Sequence, residues 1–434
     1  MALSLRAEQH AQPGPLDRLW KVLANLYDPT TNPDGYISLG VAENTLMHSV
    51  LNEHIHQNLR LPTHDLTYGD GQKQLRATLA KFFNKYFKPA TPIEPDHIAV
   101  TNGCTSAIEH MAWALGNPGD GFLLGRPFYG AFVDDVTGRF GTKLLTVNFN
   151  DIDPMSVEGV KCYERELLAA QARGQRVAGL ILCQPHNPLG RCYSRETITE
   201  LMRLCAKYKI HLISDEIYAL SVFTNNVDKD VPFFPFTSAA SIDTTGVIDP
   251  ALVHIIWGMS KDFGANGIRM GTIISQNNPL LHAAIVPVSL MSSTSALTDH
   301  VVDNVVSDAE WVEGYIAENR ALLSQQYEYV AQWARRNKIE YAPGVNAGFF
   351  LWVNLGKVYK ETHGEVEDIS EAVMNALLEH GIFLASGAQF GAEEPGWFRI
   401  VFSHPTEYLD VGLKRIEKTL LDGRQKDGAS QKGV

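Results

Sequence analysis

The stretch VAGLILCQPHNPLGRCYSRETITELMRLCAKYKIHLISDEIY, residues 177–218, contains two apolar runs separated by a helical pattern. The runs VAGLILC at 177–183 and IHLIS at 210–214 have the length and β-branched content of buried strands. Ser194 is suited to cap a helix that continues to Tyr208. Apolar side chains recur in this helix at Ile198, Leu201, Cys205 and Tyr208. A strand, a helix and a strand in this order predict two parallel strands joined by a crossover helix.

Five further apolar runs extend this pattern along the chain. They are HIAVT at 97–101, FLLG at 122–125, KLLTV at 143–147, VHIIW at 253–257 and MGTIIS at 270–275. Because all seven runs alternate with helical stretches, we expect an α/β fold with a seven-stranded, mainly parallel sheet covered on both faces.

The pattern changes after about residue 300. A long helix is predicted at roughly 308–337, and it is followed by the apolar stretches NAGFFLWVNL and WFRIVF with a helix between them. This order predicts a second, smaller α+β domain. We expect a large domain at 61–300, a small domain formed by 1–60 with 301–421, and a disordered polar tail at 422–434.

Composition and charge narrow the function classes. The chain has 434 residues and a formal net charge of −12, and it lacks a Lys/Arg stripe, which argues against a nucleic-acid partner. No window approaches the roughly 18 apolar residues that span a bilayer, and residues 1–30 lack a signal-peptide pattern, so we expect no membrane association and a cytoplasmic location. The five cysteines form no CxxC pair and no His cluster lies near them, which predicts free thiols and no metal site.

Residues that directly follow the strands are the candidate functional residues, because ligands of open α/β sheets bind outside the carboxyl ends of the strands. Lys261 follows the sixth run, where desolvation and nearby cations favour the neutral amine that an imine requires. Asp215 follows the fifth run and can pair with a protonated pyridine nitrogen. Tyr218, one helical turn later, can direct its hydroxyl to the same ring. Taken singly, an exposed lysine, a helix N-cap and a core aromatic are the commoner interpretations.

A second group of residues is suited to binding a phosphate. Gly103, Cys104 and Thr105 open a helix after the first run, where backbone N–H groups and a hydroxyl can hold an anion. Ser260 and Arg269 add a further hydroxyl and a paired positive charge. A glycine turn alone is weak support for such a site.

Three more residues complete the candidate site. Tyr129, in RPFYG, can stack on a cofactor ring, and Asn187, in QPHNPLG, can donate a hydrogen bond to it. An aromatic that only packs and an asparagine that only forms a turn are the alternatives. Arg399 lies mid-strand in WFRIVF among apolar residues. A buried arginine needs a carboxylate partner, either from a substrate or from an acidic side chain of the protein.

These residues, in this order, resemble the fold-type I pyridoxal 5'-phosphate (PLP) enzymes of the aspartate aminotransferase superfamily, most closely the branch of 1-aminocyclopropane-1-carboxylate (ACC) synthase. The resemblance runs from about Tyr36 to Tyr408. The segments that carry it are GVAENTL (40–46), NGCTSAIE (102–109), PFYGAF (127–132), NPLG (187–190), SDEIYALSVF (214–223), MSKDFGANGIRMG (259–271) and EEPGWFRIVF (393–402). GVAEN and EPGWFR are more specific to the ACC synthase branch than NPxG and SK.

The resemblance implies PLP as the cofactor, a small amino-acid substrate and a homodimer whose subunits share their active sites. It implies that Lys261 forms the Schiff base and acts as the general base, and that Arg399 holds the substrate carboxylate, with Asn187 also at the substrate. Glu43 matches a glutamate near the amino and side-chain end of the substrate. Tyr68 is similar to a tyrosine that reaches the partner subunit's phosphate.

Two departures from the family pattern concern the phosphate. Tyr68 lies three residues before Gly71, so its position is shifted by about one residue from the family spacing. Gly258 stands where the family often has a serine. We expect the second departure to remove one hydrogen bond from the phosphate site.

The core residues are shared by every reaction of this superfamily, so they do not discriminate among reactions. GVAEN and EPGWFR favour an ACC synthase-like lyase that removes the α-proton and then eliminates or cyclises. An aminotransferase that yields a 2-oxo acid and a C–S β-lyase are the alternatives. A non-catalytic PLP-binding protein is disfavoured, because it has no use for a buried arginine without a partner.

Overall fold

The computed structural model describes residues 15–67, 72–289 and 292–421, together with residues 3, 4, 7, 8 and 11. All seven predicted runs form strands whose limits lie within one residue of the expected ones. The predicted tail at 422–434 and the candidate Tyr68 lie outside the described residues.

Thirteen strands occur in the described residues. In chain order they are β1 (Ile37–Ser38), β2 (Ile98–Asn102), β3 (Gly121–Gly125), β4 (Lys143–Val147), β5 (Val177–Cys183), β6 (His211–Asp215), β7 (Val253–Gly258), β8 (Met270–Ile274), β9 (Glu340–Tyr341), β10 (Phe350–Asn354), β11 (Ile382–Phe383), β12 (Ala385–Ser386) and β13 (Trp397–Val401).

Fourteen α-helices occur in the same described residues. They are α1 (Pro15–Leu23), α2 (His48–Asn58), α3 (Lys73–Tyr86), α4 (Gly103–Leu115), α5 (Phe132–Thr137), α6 (Val160–Ala172), α7 (Arg195–Tyr208), α8 (Met259–Asp262), α9 (Pro279–Ser289), α10 (Ala296–Ser307), α11 (Ala309–Arg336), α12 (Leu355–His363), α13 (Ile369–Glu379) and α14 (Thr406–Leu421).

The seven-stranded sheet has the order β2-β8-β7-β6-β5-β3-β4. The pairs among β7, β6, β5, β3 and β4 are parallel, whereas β8 runs antiparallel to both of its neighbours. Every residue of β3, β5, β7 and β8 is buried, as expected for strands covered on both faces. The predicted α/β class and mainly parallel sheet are confirmed.

Side-chain caps mark the starts of two long helices. The side chain of Ser194 accepts a hydrogen bond from Thr197 N (3.0 Å) at the start of α7, and Ile198, Leu201 and Cys205 are fully buried. Asp308 caps α11 in the same way through Trp311 N (3.1 Å). Local caps therefore fix these helix starts, and burial of one face fixes their orientation.

A four-stranded antiparallel sheet, in the order β12-β13-β10-β9, forms the second part of the chain. The short strand β1 pairs in parallel with β11, so the N-terminal segment joins the C-terminal part of the chain in space. This pairing has the arrangement expected if residues 1–60 and 301–421 form one domain; the limits at 61–300 remain a prediction.

Two hydrophobic clusters form the core, one on each face of the large sheet. Leu212 and Ile255 belong to the first cluster, and their chain neighbours Ile213 and Ile256 belong to the second. The second cluster continues to Ile400 of β13, so the two sheets share a core. This continuous packing fixes the position of β13 relative to the carboxyl edge of the large sheet.

The carboxyl edge of the large sheet gathers segments that are distant in sequence. The parallel strands β2, β3, β5, β6 and β7 all end there. Because β8 runs in the opposite direction, it begins at this edge, with Gly258 opposite Gly271 and Asn102 opposite Met270. The residues before β8 and those after β2 and β7 therefore lie side by side.

Candidate active site

Lys261 lies in the short helix α8, directly after β7, and is half-buried. Its Nζ donates a hydrogen bond to the carbonyl oxygen of Ala42 (2.6 Å). Burial lowers the pKa of Lys261 to about 8, and the positive charge of Arg399 acts in the same direction, whereas Glu43 raises it. A substantial fraction of this amine is therefore neutral near pH 8, as an amine nucleophile or base requires.

Asp262, the next residue, holds the Lys261 turn in place. Its carboxylate accepts hydrogen bonds from Leu220 N (3.1 Å), Ser221 Oγ (2.7 Å) and Trp257 Nε1 (2.9 Å). Burial raises the pKa of Asp262 to about 6, although the three hydrogen bonds lower it. These hydrogen bonds tie α8 to the segment that follows Tyr218, so the lysine and the tyrosine are positioned together.

Asp215 is the last residue of β6, and Tyr218 lies in the turn that follows it. The expected helical turn is wrong, because Ala219 N bonds to Glu216 O (3.0 Å) and Ser221 N to Tyr218 O (3.0 Å) in successive tight turns. Asp215 accepts one backbone hydrogen bond, from Ile217 N (3.3 Å). Burial raises the pKa of Asp215 to about 7, although Ile217 N and Lys261 lower it. A buried carboxyl group with this environment is suited to a positively charged partner.

The predicted phosphate residues meet at the start of α4. Gly103 has a φ of +76°, and a Cβ there would lie 2.8 Å from Cζ of Arg269. The guanidinium of Arg269 therefore lies across the helix N-terminus, where backbone N–H groups favour an anion. Thr105 and Arg269 are exposed in the single chain, whereas Cys104 and Ser260 are buried beside them.

The space beside Gly258 explains why this position lacks a side chain. A Cβ at Gly258 would lie 2.5 Å from the carbonyl oxygen of Met270 and 2.9 Å from Sγ of Cys104. A serine side chain at 258 therefore has no room between the backbone of β8 and Cys104. Cys104 and the backbone of β8 thus fill this volume, so residue 258 has no side chain to offer the candidate phosphate site.

Tyr129 and Asn187 belong to loops at the carboxyl edge of the large sheet. Tyr129 follows β3 and meets Phe132 edge to face at 5.5 Å; burial raises its pKa to about 12. The negative charges of Asp135 and Asp215 also raise this pKa, whereas the positive charge of Arg399 lowers it. Asn187 is buried after β5, and its Oδ1 accepts a hydrogen bond from Arg399.

Arg399 is buried mid-strand in β13, and only 3% of its surface is exposed. Its Nη1 donates to Asn187 Oδ1 (2.9 Å) and its Nη2 to the carbonyl oxygen of Gly40 (2.7 Å). Its Nε has no hydrogen-bond partner, and no acidic side chain in the described part of the chain pairs with it. Its Cζ lies over the rings of Phe350 and Phe390, at 5.2 and 4.8 Å from their centroids. The alternative of an ion pair within the described chain is therefore wrong.

Residues 39–44, which we call the strap, cross the site from the side of the small sheet. The carbonyl oxygens of Gly40 and Ala42 accept hydrogen bonds from Arg399 and Lys261. Ser403 Oγ donates to the carbonyl oxygen of Glu43 (2.6 Å), which anchors the strap. The side chain of Glu43 is exposed in the single chain, and its negative charge acts on Lys261.

Sequence reasoning missed the residues that support the site. The two strap carbonyls carry no side-chain signal, and Phe390 lies far from any predicted strand end. Asp262 had a usable signal, because an acidic residue beside a lysine at a strand end needs several donors once both are buried. The described residues contain no cluster of three or more metal-ligating side chains and no helix long and apolar enough to cross a membrane.

The family model for the class I and II aminotransferases matches residues 34–416. The chain belongs to this family. It is 32% identical over 405 residues to "1-aminocyclopropane-1-carboxylate synthase-like protein 1" of Bos taurus, covering 91% of this chain and 78% of the relative. It is 32% identical over 416 residues to the "Probable inactive 1-aminocyclopropane-1-carboxylate synthase-like protein 2" of Mus musculus, with 93% and 69% covered.

Two further comparisons extend the similarity. The "Probable aminotransferase sirI" of Leptosphaeria maculans is 30% identical over 425 residues, covering 95% of this chain and 98% of that protein. A double mutant of Thermus thermophilus aspartate aminotransferase shares the fold, with a TM-score of 0.76 at 19% identity, covering 96% of this chain and all of the other. These findings confirm the fold-type I architecture near the ACC synthase-like branch.

Members of this family depend on PLP, and PLP is the cofactor of this chain. The structure fits this group. Arg269 and the start of α4 are suited to its phosphate, and Asp215 to its ring nitrogen. The amine of Lys261, with its lowered pKa, is suited to its aldehyde.

The pH dependence of cofactor uptake tests the environment of Lys261. Because only the neutral amine condenses with an aldehyde, uptake of PLP by the apoprotein should rise with pH and level off above pH 8. An ordinary lysine, with a pKa of about 10.4, would give a midpoint roughly two pH units higher. Stopped-flow absorbance between pH 6 and 10 measures this midpoint. Glu43→Gln should move it to lower pH, because Glu43 raises the pKa of Lys261; a midpoint near pH 10 contradicts the assignment.

Proposed function

We propose that this chain is an ACC synthase-like lyase, which removes the α-proton of an amino acid and then eliminates a group or closes a ring. The observation that carries its action on amino acids is Arg399, a buried cation without an acidic partner in the described chain, beside the lysine that holds PLP. A substrate carboxylate supplies the missing partner in a bidentate geometry. The similarity to ACC synthase-like relatives supports the lyase reaction.

PLP, when bound, supplies an aldehyde for the substrate's amino group and a ring that accepts the electron pair of the broken bond. Arg399 and Asn187 orient the substrate through its carboxylate. The strap carbonyl of Ala42 holds Nζ of Lys261 at the same site (2.6 Å), and the neutral Nζ can take the α-proton once the substrate's amino group has replaced it. Arg399 thus binds the substrate, and Lys261 transfers the proton.

Asp215, Tyr218 and Asn187 support this proton transfer from the large sheet. Asp215 is buried, and its carboxylate would pair with a protonated ring nitrogen and so favour the electron-accepting form of the ring. Tyr218 is buried, and burial raises the pKa of its hydroxyl, so this group acts as a neutral donor. Tyr129, with its aromatic ring beside Phe132, would supply a face on which the cofactor ring could stack.

We also propose that the active form is a homodimer with shared sites and that the protein is cytoplasmic. Glu43, Thr105 and Arg269 belong to the candidate site, yet all three are exposed in the single chain. A second subunit that covers them accounts for this exposure. The five cysteines are buried and free, as is typical of a reducing compartment.

Glu43 is the residue expected to separate the reactions. A carboxylate near the side-chain end of the substrate can position an amino or a leaving group by its charge, which an amide lacks. We expect Glu43→Gln to retain exchange of the substrate's α-hydrogen for deuterium and to lose about tenfold or more in product formation, within the usual range for acid–base groups. NMR of the exchange and mass spectrometry of the products measure both steps.

The control for this variant is Glu53→Gln, a change at an exposed residue of α2 whose carboxylate accepts from Gln57 (2.9 Å). We expect it to exchange and to turn over as the unmodified protein does. Equal loss of exchange and product in Glu43→Gln would show that Glu43 acts before the reactions diverge, and wild-type behaviour would assign it to structure alone.

Product analysis with a panel of amino acids tests the proposed reaction. A cyclic or eliminated product supports the lyase. A 2-oxo acid would instead identify an aminotransferase, which the similarity to the probable aminotransferase sirI favours. Ammonia with a thiol would identify a C–S β-lyase. No turnover with any amino acid would support a non-catalytic role, as the name of the probable inactive relative suggests for that protein.

A further inference from the structure

Glu393 opens the stretch EEPGWFRIVF and makes an unusual contact with the large sheet. Its Oε1 accepts a hydrogen bond from Phe149 N (2.7 Å), and its Oε2 accepts one from Asn150 N (3.0 Å). These two N–H groups belong to the loop after β4, where Asn150 has a φ of +52°. One carboxylate therefore links the segment before β13 to the backbone of the large sheet.

The residues before Glu393 are seated on the loop that carries Tyr129. Phe128 N donates to the carbonyl oxygen of Phe390 (2.8 Å). A Cβ at Gly130 would lie 2.5 Å from the carbonyl oxygen of Gln389, and one at Gly391 would lie 2.7 Å from Cζ of Phe128. These close approaches leave no gap between the two segments. We call residues 389–393 the clip.

The other side of the clip faces Arg399. The ring of Phe390 lies 4.8 Å from Cζ of Arg399, and Ala385 of β12 is paired with Arg399 in the small sheet. The clip is therefore in contact with Arg399 on one side and with the neighbours of Tyr129 on the other. A shift of the clip changes the distance between the carboxylate site and the face of the cofactor ring.

We propose that Glu393 is a positioning residue, which holds the clip against the Tyr129 loop and so fixes Arg399 relative to the cofactor. This inference rests on the proposed binding of a substrate carboxylate by Arg399. Two hydrogen bonds to one charged carboxylate fix both distance and direction. Glu393 is exposed and lies outside both hydrophobic clusters, so its removal leaves the core intact.

Two oxyamine reagents test this role without knowledge of the substrate. Aminooxyacetate carries the carboxylate that Arg399 binds, whereas methoxyamine has the same reactive group and no carboxylate. The ratio of their rates with the PLP-loaded protein reports how well the carboxylate site is aligned with the cofactor. We expect Glu393→Gln to lower this ratio about tenfold, the scale for weakening a hydrogen bond to a charged group, and to leave the methoxyamine rate unchanged.

The neighbouring residue provides a matched control. Glu394 is also exposed, and its carboxylate accepts a long hydrogen bond from Trp397 Nε1 (3.4 Å). Glu394→Gln should leave the ratio unchanged. Glu393→Asp, which keeps the charge on a shorter side chain, should lower the ratio in the same direction. Hydrogen exchange at the amides of Phe149 and Asn150 should quicken in both Glu393 variants, while the thermal midpoint of the apoprotein stays the same.

The outcomes separate this inference from the proposed function. An unchanged ratio in the Glu393 variants, with faster exchange at Phe149 and Asn150, would overturn the positioning role. Equal losses in Glu393→Gln and Glu394→Gln would also overturn it, since the effect would then follow the surface charge. If neither reagent reacts with the wild-type protein, or both react at rates that Arg399→Lys leaves unchanged, the proposed function itself fails.

Discussion

Lys261→Ala should lose turnover by about 10,000-fold or more, since an acid–base group alone contributes up to this factor and the alanine also removes the amine that holds PLP. Borohydride reduction of the wild-type protein should fix the cofactor on Lys261, and peptide mapping locates the label. The variant should show no label after the same treatment. Single-turnover absorbance after addition of an amino acid, compared between Lys261→Ala and the wild-type protein, measures the loss.

Two controls make this result specific to Lys261. Lys357→Ala, at an exposed lysine paired with Glu340 (3.2 Å), should retain turnover and the label. A small free amine added to Lys261→Ala should restore part of the proton transfer, because the neutral base is supplied from solution. A label that maps to another lysine, or a variant that still holds PLP covalently, would show that the assignment is wrong.

Arg399→Lys should lower kcat/KM by roughly 30- to 900-fold. This corresponds to a loss of about 2–4 kcal/mol in transition-state stabilisation, the scale for disrupting a buried charge pair. The lysine keeps a charge but loses the planar fork that binds both carboxylate oxygens and reaches Asn187 and Gly40 together. The aminooxyacetate rate should fall by a similar factor while the methoxyamine rate stays constant. The absorbance of the PLP-bound protein should be unchanged.

Arg335→Lys is the control for this substitution. Arg335 already pairs with an acidic side chain, Asp228 (2.8 Å), and is half exposed. Its replacement should leave both oxyamine rates within about twofold, because Arg335 bonds to Asp228 and Tyr341 and to no residue of the candidate site. If Arg399→Lys reacts with aminooxyacetate as fast as the wild-type protein, Arg399 does not bind the carboxylate.

The sequence predicted the strands well because each is encoded locally. β5 and β6 are continuous apolar runs with a capped helix between them, so neither depends on distant residues for its recognition. Because ligands bind at the carboxyl edge of such sheets, the sequence also predicted that Lys261 and Asp215 belong to one site. The antiparallel direction of β8 was not predicted, yet it is what places Arg269 beside Gly103.

The contacts that tune the site could not be predicted, because they join segments far apart in the chain. Arg399 and Asn187 are 212 residues apart, and Arg399 and Gly40 are 359 apart. The sequence predicted a helical turn after Asp215, where the structure has tight turns. The three-residue spacing from Asp215 to Tyr218 is compatible with either conformation. The exposure of Glu43 depends on how the strap is anchored to Ser403, which no local pattern encodes.

The strap carbonyls give the site a degree of preorganisation. Lys261 and Arg399 are already oriented and partly desolvated by two neutral acceptors, the carbonyl oxygens of Ala42 and Gly40. An incoming carboxylate or amino group therefore exchanges one set of hydrogen bonds for another instead of removing two cations from bulk water. Orienting these two side chains is therefore part of folding, and less reorganisation opposes each encounter with a ligand.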